Sequence, residues 1–308
     1  MMEKNRLGTS DLLVSRIGLG CMSLGKDPEK AKPIIEAALD EGINYFDTAD
    51  LYDFGENEQI VGKALKSVRD KVIIATKAGN RWDDVEDGWR WDPSKKYIKE
   101  AAKRSLKRLG TEYIDLFQLH GGTIDDPLDE TIEAFEELRQ EGLIRFYGIS
   151  SIRPNVIKRF SESSSIISVM MQYSLLDRRP EEIFPLLEDK EISVVTRGPI
   201  AKGLLSDRML DKASSKMKEQ GYLDYSYNEL EEVLGNIHEK LTAGRSMNEI
   251  ALQYILSHNA VSAVVPGASS VEQLRENAQA AKAPPLSSKE MEVLKNITKQ
   301  NIYEQHRI

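Results

Sequence analysis

The sequence predicts an α/β protein, a (β/α)8 TIM barrel with an N-terminal β-hairpin. Eight short apolar runs alternate with longer stretches whose apolar residues recur at helical spacing. This alternation is typical of parallel strands covered by helices, and eight units favour a closed barrel over an open doubly wound sheet. A chain of 308 residues has a normal length for one such barrel, so residues 1–308 are predicted to form a single domain.

The apolar runs have the length expected of buried strands. In chain order they are IGLG near Ile17, INYFDTA near Tyr45, KVIIATK near Ile74, YIDLFQLH near Leu116, IRFYGIS near Tyr147, IISVMMQY near Val169, ISVVTRG near Val194 and SAVVPGAS near Val264. A parallel barrel brings the carboxyl ends of all its strands to one rim, so the residues that follow each run are expected there.

Three intervening stretches carry clear helix signals, and a glycine follows each of them, as is common at the ends of helices. Asp92 is the expected N-cap of the second stretch. The predicted helices are Pro28–Glu41, Pro93–Leu109 and Pro127–Glu141, closed by Gly42, Gly110 and Gly142.

Two segments lie outside the repeat of strands and helices. Residues 3–15 are predicted to form the hairpin, with its turn near Gly8–Ser10. The polar stretch Gly203–Asn228 is longer than an ordinary connection, and it is therefore predicted to be functional or mobile.

The composition narrows the class of protein. Hydrophobic residues make up 40% and charged residues 30%, which is typical of a soluble globular protein. The net charge of −8 argues against a general affinity for nucleic acid or anionic membranes. The N-terminus lacks the apolar core of a signal peptide, and no run approaches the ~20 apolar residues that span a bilayer.

The cysteine and histidine content points to a cytoplasmic protein without a structural metal. Cys21 is the only cysteine, which excludes an intramolecular disulfide and fits a reducing compartment. The four histidines are scattered, and none lies at a metal-ligand spacing from another. The sequence gives no indication of the oligomeric state.

Four ionisable residues follow three neighbouring strands of the predicted barrel. Asp47 ends the second run, Tyr52 lies in the loop after it, Lys77 ends the third run and His120 the fourth. Each has an ordinary structural interpretation: a helix cap, a half-buried packing residue, a solvated charge and a hydrogen-bonded histidine. Their coincidence at the rim that carries active sites in parallel barrels instead favours a proton-transfer site.

These residue types suit proton donation to a carbonyl oxygen. A free phenol has a pKa near 10, which should fall if it is to donate a proton near neutral pH. A neighbouring ammonium favours the phenolate, and Lys77 can supply that charge to Tyr52. Asp47 can hold Lys77 in place and charged, while His120 can hydrogen-bond the substrate oxygen.

The chain resembles the aldo-keto reductases in seven separated motifs that run from near the N-terminus to about Ala280. The motifs are LGTSDLLVSRIGLGCMSLG, FDTADLYDFGENE, IIATKAG, YIDLFQLHG, YGISS, MQYSLLDR and VVPGASSVEQLRENAQA. The resemblance implies an NADP(H)-binding barrel that reduces a small-molecule carbonyl substrate. It further implies that Tyr52 donates the proton, assisted by Lys77, Asp47 and His120, while the nicotinamide gives a hydride to the carbonyl carbon.

The resemblance also implies a set of cofactor-binding residues. It places the nicotinamide amide against Ser150, Ser151 and Gln172, although both serines could instead cap the helix that follows. The whole set is Gly20, Cys21, Met22, Asp47, Ser150, Ser151, Gln172, Arg197, Gly198, Pro199, Ile200, Ala201, Lys202, Gly203, Arg208, Gly267, Ser269, Gln273, Glu276 and Asn277.

Two parts of this set concern the phosphates and adenosine. The segment GPIAKGLL, residues 198–205, is expected to wrap the pyrophosphate with its backbone amides, and Lys202 and Arg208 are expected to reach the phosphates. In the segment 264–280, a helix start is expected to approach the adenosine 2′-phosphate, because free N–H groups there attract anions. Relatives often carry Lys or Arg where this chain has GASS, so a comparison of NADPH with NADH is needed to decide the preference.

Arg197 departs from the family pattern. The aligned residue is usually an aromatic whose ring stacks on the nicotinamide, and a planar guanidinium can also stack. Arg197 would place positive charge beside a ring that is itself positive when oxidised. We therefore expect it to weaken NADP+ binding relative to NADPH, or to turn toward phosphate or a substrate anion.

Three tryptophans, Trp82, Trp89 and Trp91, lie in the loop after the third strand. They are expected either to form an aromatic wall for the substrate or only to fix the loop. Glu86 and the neighbouring aspartates would make the mouth, the opening at the carboxyl end of the barrel, acidic and would disfavour anionic substrates.

Two other functions are compatible with the sequence. One is a cofactor-bound redox-sensing or regulatory protein with slow turnover. The other is a Schiff-base aldolase or lyase that uses Lys77, although the cofactor segment near Ser269 argues against it.

Overall fold

Eight parallel strands close into a barrel in the computed structural model, which describes residues 2–82, 88–211 and 213–307. Parallel bridges from Ile17 to Val264 and from Gly20 to Gly267 join the first strand to the last. The barrel strands are β1 (Leu19–Gly20), β2 (Tyr45–Asp47), β3 (Ile73–Ala78), β4 (Ile114–Leu119), β5 (Ile144–Ser150), β6 (Ser168–Gln172), β7 (Ser193–Arg197) and β8 (Val261–Val265). Each strand overlaps one predicted run, and the predicted barrel is confirmed.

The outer layer consists of helices that follow the strands in sequence. Within the described residues they are α1 (Pro28–Asp40), α2 (Glu56–Leu65), α3 (Lys95–Leu109), α4 (Leu128–Gln140), α5 (Pro154–Ser163), α6 (Phe184–Asp189), α7 (Ser215–Gln220), α8 (Tyr227–Leu241), α9 (Met247–Leu256), α10 (Val271–Lys282) and α11 (Ser288–Ile297). None of these described helices combines the length and apolar character needed to cross a membrane.

Alternating side chains along the strands build two apolar layers. In β3, Ile73 and Ala75 belong to the inner cluster, while Ile74 between them belongs to the cluster shared with the helices. This alternation follows from the two-residue period of a strand. Leu7 and Leu12 from the N-terminal hairpin join the inner cluster and complete it.

The hairpin closes the amino end of the barrel. Its strands, Lys4–Arg6 and Leu13–Ser15, pair antiparallel, as predicted for residues 3–15. The Gly8 N–H donates to Ser193 Oγ, at the first residue of β7, over 2.7 Å. Gly8 has φ +55°, and a Cβ there would lie 2.3 Å from the Ile167 carbonyl oxygen, so only glycine fits. The carboxyl end of the barrel is left for the site.

The expected cap of α3 was wrong by two residues. Ser94 is the N-cap, and its hydroxyl accepts a hydrogen bond from the Tyr97 N–H at 3.3 Å. The Asp92 carboxylate instead accepts from the Ser94 N–H and hydroxyl. Asp92 therefore orients the capping serine rather than capping the helix itself. The predicted end of α3 is correct, because Gly110 adopts φ +63° there.

The polar segment 203–228 is more regular than the sequence indicated. It contains α7, which Ser214 caps, and α8 begins at Tyr227. Tyr222 and Tyr225 are buried, and each donates its backbone N–H to the carbonyl of the other. The described part of this segment is thus packed against the barrel through its tyrosines.

Candidate active site

The four predicted proton-transfer residues meet at the carboxyl end of the barrel. Lys77 Nζ lies 2.7 Å from Asp47 Oδ2 and 3.5 Å from Tyr52 Oη. The rings of Tyr52 and His120 meet edge to face, with centroids 6.0 Å apart. Three separate strand ends therefore supply one contiguous group of ionisable side chains, as the barrel rule predicts.

A tight turn after β2 carries Tyr52 into this group. Asp53 and Phe54 both have positive φ, which is uncommon outside glycine, and Gly55 follows with φ +88°. A Cβ on Gly55 would lie 2.7 Å from the Arg108 side chain. The turn thus depends on glycine, and it reverses the chain between the tyrosine and α2.

Lys77 is the electrostatic centre of the site. Its side chain is fully buried, and its ammonium also donates to the Thr48 carbonyl at 2.7 Å. Burial alone would lower the pKa of Lys77, but the charges and hydrogen bonds of Asp47 and Tyr52 outweigh it and raise the pKa overall. Burial in turn raises the pKa of Asp47, and Lys77 opposes that rise. The lysine is held as an ammonium beside the tyrosine hydroxyl.

His120 is neutral at ordinary pH. Burial, together with the positive charges of Lys77 and Arg197, lowers the pKa of His120 to about 3. A neutral imidazole carries one N–H donor and one acceptor nitrogen. Among the described residues, its buried Nδ1 has no hydrogen-bond partner. The ring can therefore donate a hydrogen bond to a substrate oxygen without carrying charge.

The ends of β5 to β7 form a polar surface next to this group. Gln172 ends β6 and pairs in register with Arg197 at the end of β7. Arg197 Nη1 donates to Gln172 Oε1 at 3.0 Å. Ser150 and Ser151, at the end of β5, are buried. The predicted nicotinamide-binding residues therefore do lie together at one rim.

The serines do not cap α5. Arg153 is the N-cap of that helix, and within the described part of the chain its side chain makes no capping hydrogen bond. Ser151 Oγ accepts from the Arg153 N–H at 3.3 Å, but Ser151 lies two residues before the cap position. The alternative interpretation, in which Ser150 and Ser151 cap this helix, is therefore wrong.

The segment after β7 turns sharply on itself. Positive φ occurs at Gly198, Ala201, Lys202 and Gly203. Turns that enter the left-handed region can direct backbone N–H groups into a concave surface that suits an anion. Lys202 is exposed on this turn, and Arg208 is exposed further along the segment. The turn therefore combines left-handed backbone with an exposed basic side chain, Lys202.

The segment 264–280 lies against β1. Gly20 bridges to Gly267, and a Cβ on Gly267 would lie 2.8 Å from Ser23 Oγ. Ser269 donates both its N–H and its hydroxyl to Gln273 Oε1. Ser270 caps α10. The remaining residues of the predicted set are placed as follows: Cys21, Pro199 and Asn277 are buried, Ile200 is half-buried, and Met22, Gln273 and Glu276 are exposed.

Two of the three tryptophans pack beside the mouth. Trp91 Nε1 donates to Asp126 at 2.8 Å, and its ring covers Gly79, where a Cβ would lie 2.7 Å from it. Trp82 meets Phe54 edge to face at 5.7 Å, whereas Trp89 is 53% exposed. The acidic residues at positions 83–87, including Glu86, lie outside the described residues.

Sequence reasoning missed three residues of the site. The Thr48 carbonyl holds Lys77, Gln118 is wholly buried in β4 beside Asp47, and Asp177 binds Gln172. A polar residue inside the run YIDLFQLH was a usable signal for Gln118. The contacts of Thr48 and Asp177 depend on backbone turns that the sequence pattern does not reveal.

Comparison with known proteins shows the family of this chain. The model of the aldo/keto reductase family matches residues 16–299. The uncharacterized oxidoreductase YqkF of Bacillus subtilis (strain 168) is 60% identical over 306 residues, 99% of this chain and 100% of that protein. The NADH-specific methylglyoxal reductase of Escherichia coli (strain K12) is 31% identical over 304 residues, 91% of this chain and 93% of that protein.

A solved structure is similar over the whole chain. It is aldo-keto reductase AKR11C1 from Bacillus halodurans in its holo form, with a TM-score of 0.94, 57% identity and 100% coverage of both chains. The family model covers well over half of the chain, and the relatives match along nearly all of it. The chain therefore belongs to the aldo/keto reductase family.

Proposed function

We propose that this protein reduces small aldehydes or ketones to alcohols with NADP(H), and that Tyr52 is the proton donor. The observation that carries the proposal is the buried Lys77 ammonium, 2.7 Å from Asp47 and 3.5 Å from the Tyr52 hydroxyl. A cation at that distance stabilises the negative charge that remains on the phenol oxygen when its proton leaves. Carbonyl reduction agrees with the oxidoreductase family to which the chain belongs.

Each residue of the site has a separate role in the proposed reaction. Tyr52 Oη transfers its proton to the carbonyl oxygen. Lys77, held by Asp47 and the Thr48 carbonyl, stabilises the phenolate. Neutral His120 donates a hydrogen bond to the same carbonyl oxygen and fixes its direction. A nicotinamide cofactor, when bound, would supply the hydride for the carbonyl carbon, and this hydride together with the proton from Tyr52 would give the alcohol.

The residues at the rim fit a nicotinamide dinucleotide. Gln172 and Ser150 would hold the carboxamide, and the turn at residues 198–203 would hold the pyrophosphate. The positive φ values of that turn support this assignment. In the segment 264–280, Gln273, Glu276 and Asn277 would contact the adenosine.

The preference for NADP(H) over NADH rests on the N-terminus of α10, whose dipole and N–H groups favour a 2′-phosphate. Two observations favour NADH as the alternative. Glu272 places a carboxylate in the first turn of α10, and Ser269 is already engaged by Gln273. A relative named as an NADH-specific reductase adds weight to this alternative.

Neither of the other functions fits the site as well. A Schiff base requires a neutral amine as nucleophile. The raised pKa of Lys77, which reflects Asp47 and Tyr52 outweighing burial, keeps it as an ammonium instead. A purely regulatory protein is not favoured by the named enzymes among the relatives.

The test is an assay with a reactive aldehyde, 4-nitrobenzaldehyde, and either NADPH or NADH. We expect the wild type to turn over with a higher kcat/KM for NADPH. Tyr52→Phe should lose at least about a hundredfold in kcat while keeping its affinity for the cofactor. Tyr113→Phe, at the amino end of β4, is the matched control and should keep full activity. Parental turnover by Tyr52→Phe would refute the assigned role.

A further inference from the structure

The carboxylate of Asp177 fixes the orientation of the Gln172 side chain. Gln172 Nε2 donates to Asp177 Oδ2 at 3.0 Å, and Asp177 is fully buried. A carboxylate can only accept hydrogen bonds, so the amide nitrogen of Gln172 must face Asp177. The amide oxygen therefore points the other way, where Arg197 Nη1 donates to it at 3.0 Å.

Asp177 is itself held rigidly. Arg179 donates Nε and Nη2 to its two carboxylate oxygens at 2.7 and 2.9 Å, a bidentate geometry that fixes the carboxylate plane. The backbone of Asp177 closes a tight turn with Ser174 through two N–H···O bonds. The guanidinium of Arg179 in turn lies 4.9 Å from the centre of the Tyr303 ring. The network reaches from the C-terminal segment to the rim of the barrel.

Gln172 Oε1 is therefore a hydrogen-bond acceptor with a fixed direction at the rim of the barrel. A carbonyl oxygen has two lone pairs, so Gln172 Oε1 can accept from Arg197 and from one further donor. The amide of a nicotinamide ring carries an NH2 group that is such a donor.

We infer that Asp177 is a positioning residue for the nicotinamide end of the cofactor, acting through Gln172. The inference rests on the proposed function, because that function brings the nicotinamide to Gln172. Asp177 keeps the amide oxygen of Gln172 toward the pocket, where it accepts from the carboxamide NH2. Without the carboxylate, only the exposed Arg197 guanidinium still orients the glutamine amide, and Gln172 Nε2 loses its buried acceptor. The amide oxygen is then held less firmly toward that donor.

The test is Asp177→Asn, which keeps the shape of the side chain but offers one acceptor and one donor. Binding of two probes is measured by calorimetry: NADPH, and 2′-phospho-ADP-ribose, which lacks the nicotinamide. We expect the NADPH dissociation constant to rise roughly tenfold, as for one lost hydrogen bond. The dissociation constant of 2′-phospho-ADP-ribose should stay unchanged. The same comparison with NADH and ADP-ribose covers the alternative cofactor.

Two further variants separate positioning from folding. Asp115→Asn is the matched control, since Asp115 is also buried and pairs with two arginines, Arg69 at 2.7 Å and Arg145 at 2.9 Å, but lies near the amino end of β4. It should lower stability and change neither dissociation constant. Arg179→Lys keeps the charge but loses the bidentate contact, and it should weaken NADPH alone, by about two- to fivefold.

The outcomes are decisive in each direction. Equal weakening of both probes by Asp177→Asn would make Asp177 a merely structural residue, and no change in either would remove the inference altogether. Failure of the wild type to reduce aldehydes would sink the proposed reaction, yet selective loss of NADPH affinity would still support the positioning role. A wild type that binds neither dinucleotide would overturn both.

Discussion

The carboxylate of Asp47 lies 2.7 Å from the ammonium nitrogen of Lys77, and solvent reaches almost none of either side chain. Taking two charges out of water costs several kcal/mol for each ion, and a well-packed apolar pair is often at least as stable. The pair is therefore poor evidence for stability. Lys77 Nζ lies 3.5 Å from Tyr52 Oη, so a role in proton transfer explains the pair better than a role in stability does.

The first prediction separates these two roles. Asp47→Leu leaves the Lys77 ammonium buried without its carboxylate and should lower the free energy of unfolding by about 3–5 kcal/mol. The double variant Asp47→Leu with Lys77→Met removes both charges and should recover most of that loss. Both variants should lose at least about a hundredfold in turnover. Urea unfolding and an aldehyde assay on the same preparations measure both quantities. A double variant as unstable as the single one would contradict the argument.

The second prediction concerns the pH dependence of stability. Burial, reinforced by Lys77 and Arg197, lowers the pKa of His120 to about 3 in the folded protein, whereas an unfolded histidine titrates near pH 6.5. Between these values the unfolded chain binds more protons, so stability falls as the pH is lowered through this window. Above about pH 6.5 the contribution of His120 is constant.

The variant His120→Gln removes this term. The difference in free energy of unfolding, wild type minus variant, should shrink by up to about 1.4 kcal/mol for each pH unit below about pH 6.5. Denaturant unfolding of both proteins in matched buffers measures it, and titrations common to both cancel in the difference. A constant difference across the window would show that His120 charges normally in the folded state.

The third prediction tests the charge of Arg197. Its guanidinium contacts Gln172 at 3.0 Å and helps to lower the pKa of His120, after burial and Lys77, so its charge reaches the site. Arg197→Tyr should bring the dissociation constants of NADP+ and NADPH closer by about three- to tenfold, because a positive charge no longer opposes the oxidised ring. Arg197→Lys is the control that keeps the charge without the planar group. If the charge is the cause, Arg197→Lys keeps the wild-type ratio; an unchanged ratio in Arg197→Tyr removes the idea.

The sequence predicted those parts of the molecule that depend on repeated patterns. The apolar runs located all eight strands, and the rule that parallel strands end at one rim brought Asp47, Lys77 and His120 together. It did not predict contacts that depend on local turns. Asp177 follows Gln172 by only five residues, and only the turn closed with Ser174 brings their side chains within 3.0 Å.

The sequence also did not show which of two suitable residues is the N-cap of α3. Asp92 and Ser94 are both good N-cap residues, and either could begin the helix. Their own hydrogen bonds, in which Asp92 accepts from Ser94, decide the matter. Patterns of hydrophobicity predict which elements form, but they do not distinguish between two polar side chains that satisfy the same rule.

The last prediction divides the roles of the tryptophans at the mouth. Trp91 is anchored, since its ring lies over Gly79 and its indole nitrogen donates to Asp126 at 2.8 Å. Trp82 is partly buried and meets Phe54 edge to face at 5.7 Å. We therefore expect Trp91→Ala to lower the free energy of unfolding by about 3–5 kcal/mol, as for a lost packed aromatic.

Trp82→Ala should act on substrate binding instead. Removing one aromatic partner should raise KM for aromatic aldehydes by about two- to tenfold, the equivalent of roughly 0.5–1.5 kcal/mol, and leave KM for short aliphatic aldehydes unchanged. Trp89→Ala is the control, because Trp89 is 53% exposed and should affect neither stability nor KM. If Trp82→Ala raised KM equally for both classes, the ring would be shaping the loop rather than contacting the substrate. The aromatic wall would then have to be sought in other residues of the rim.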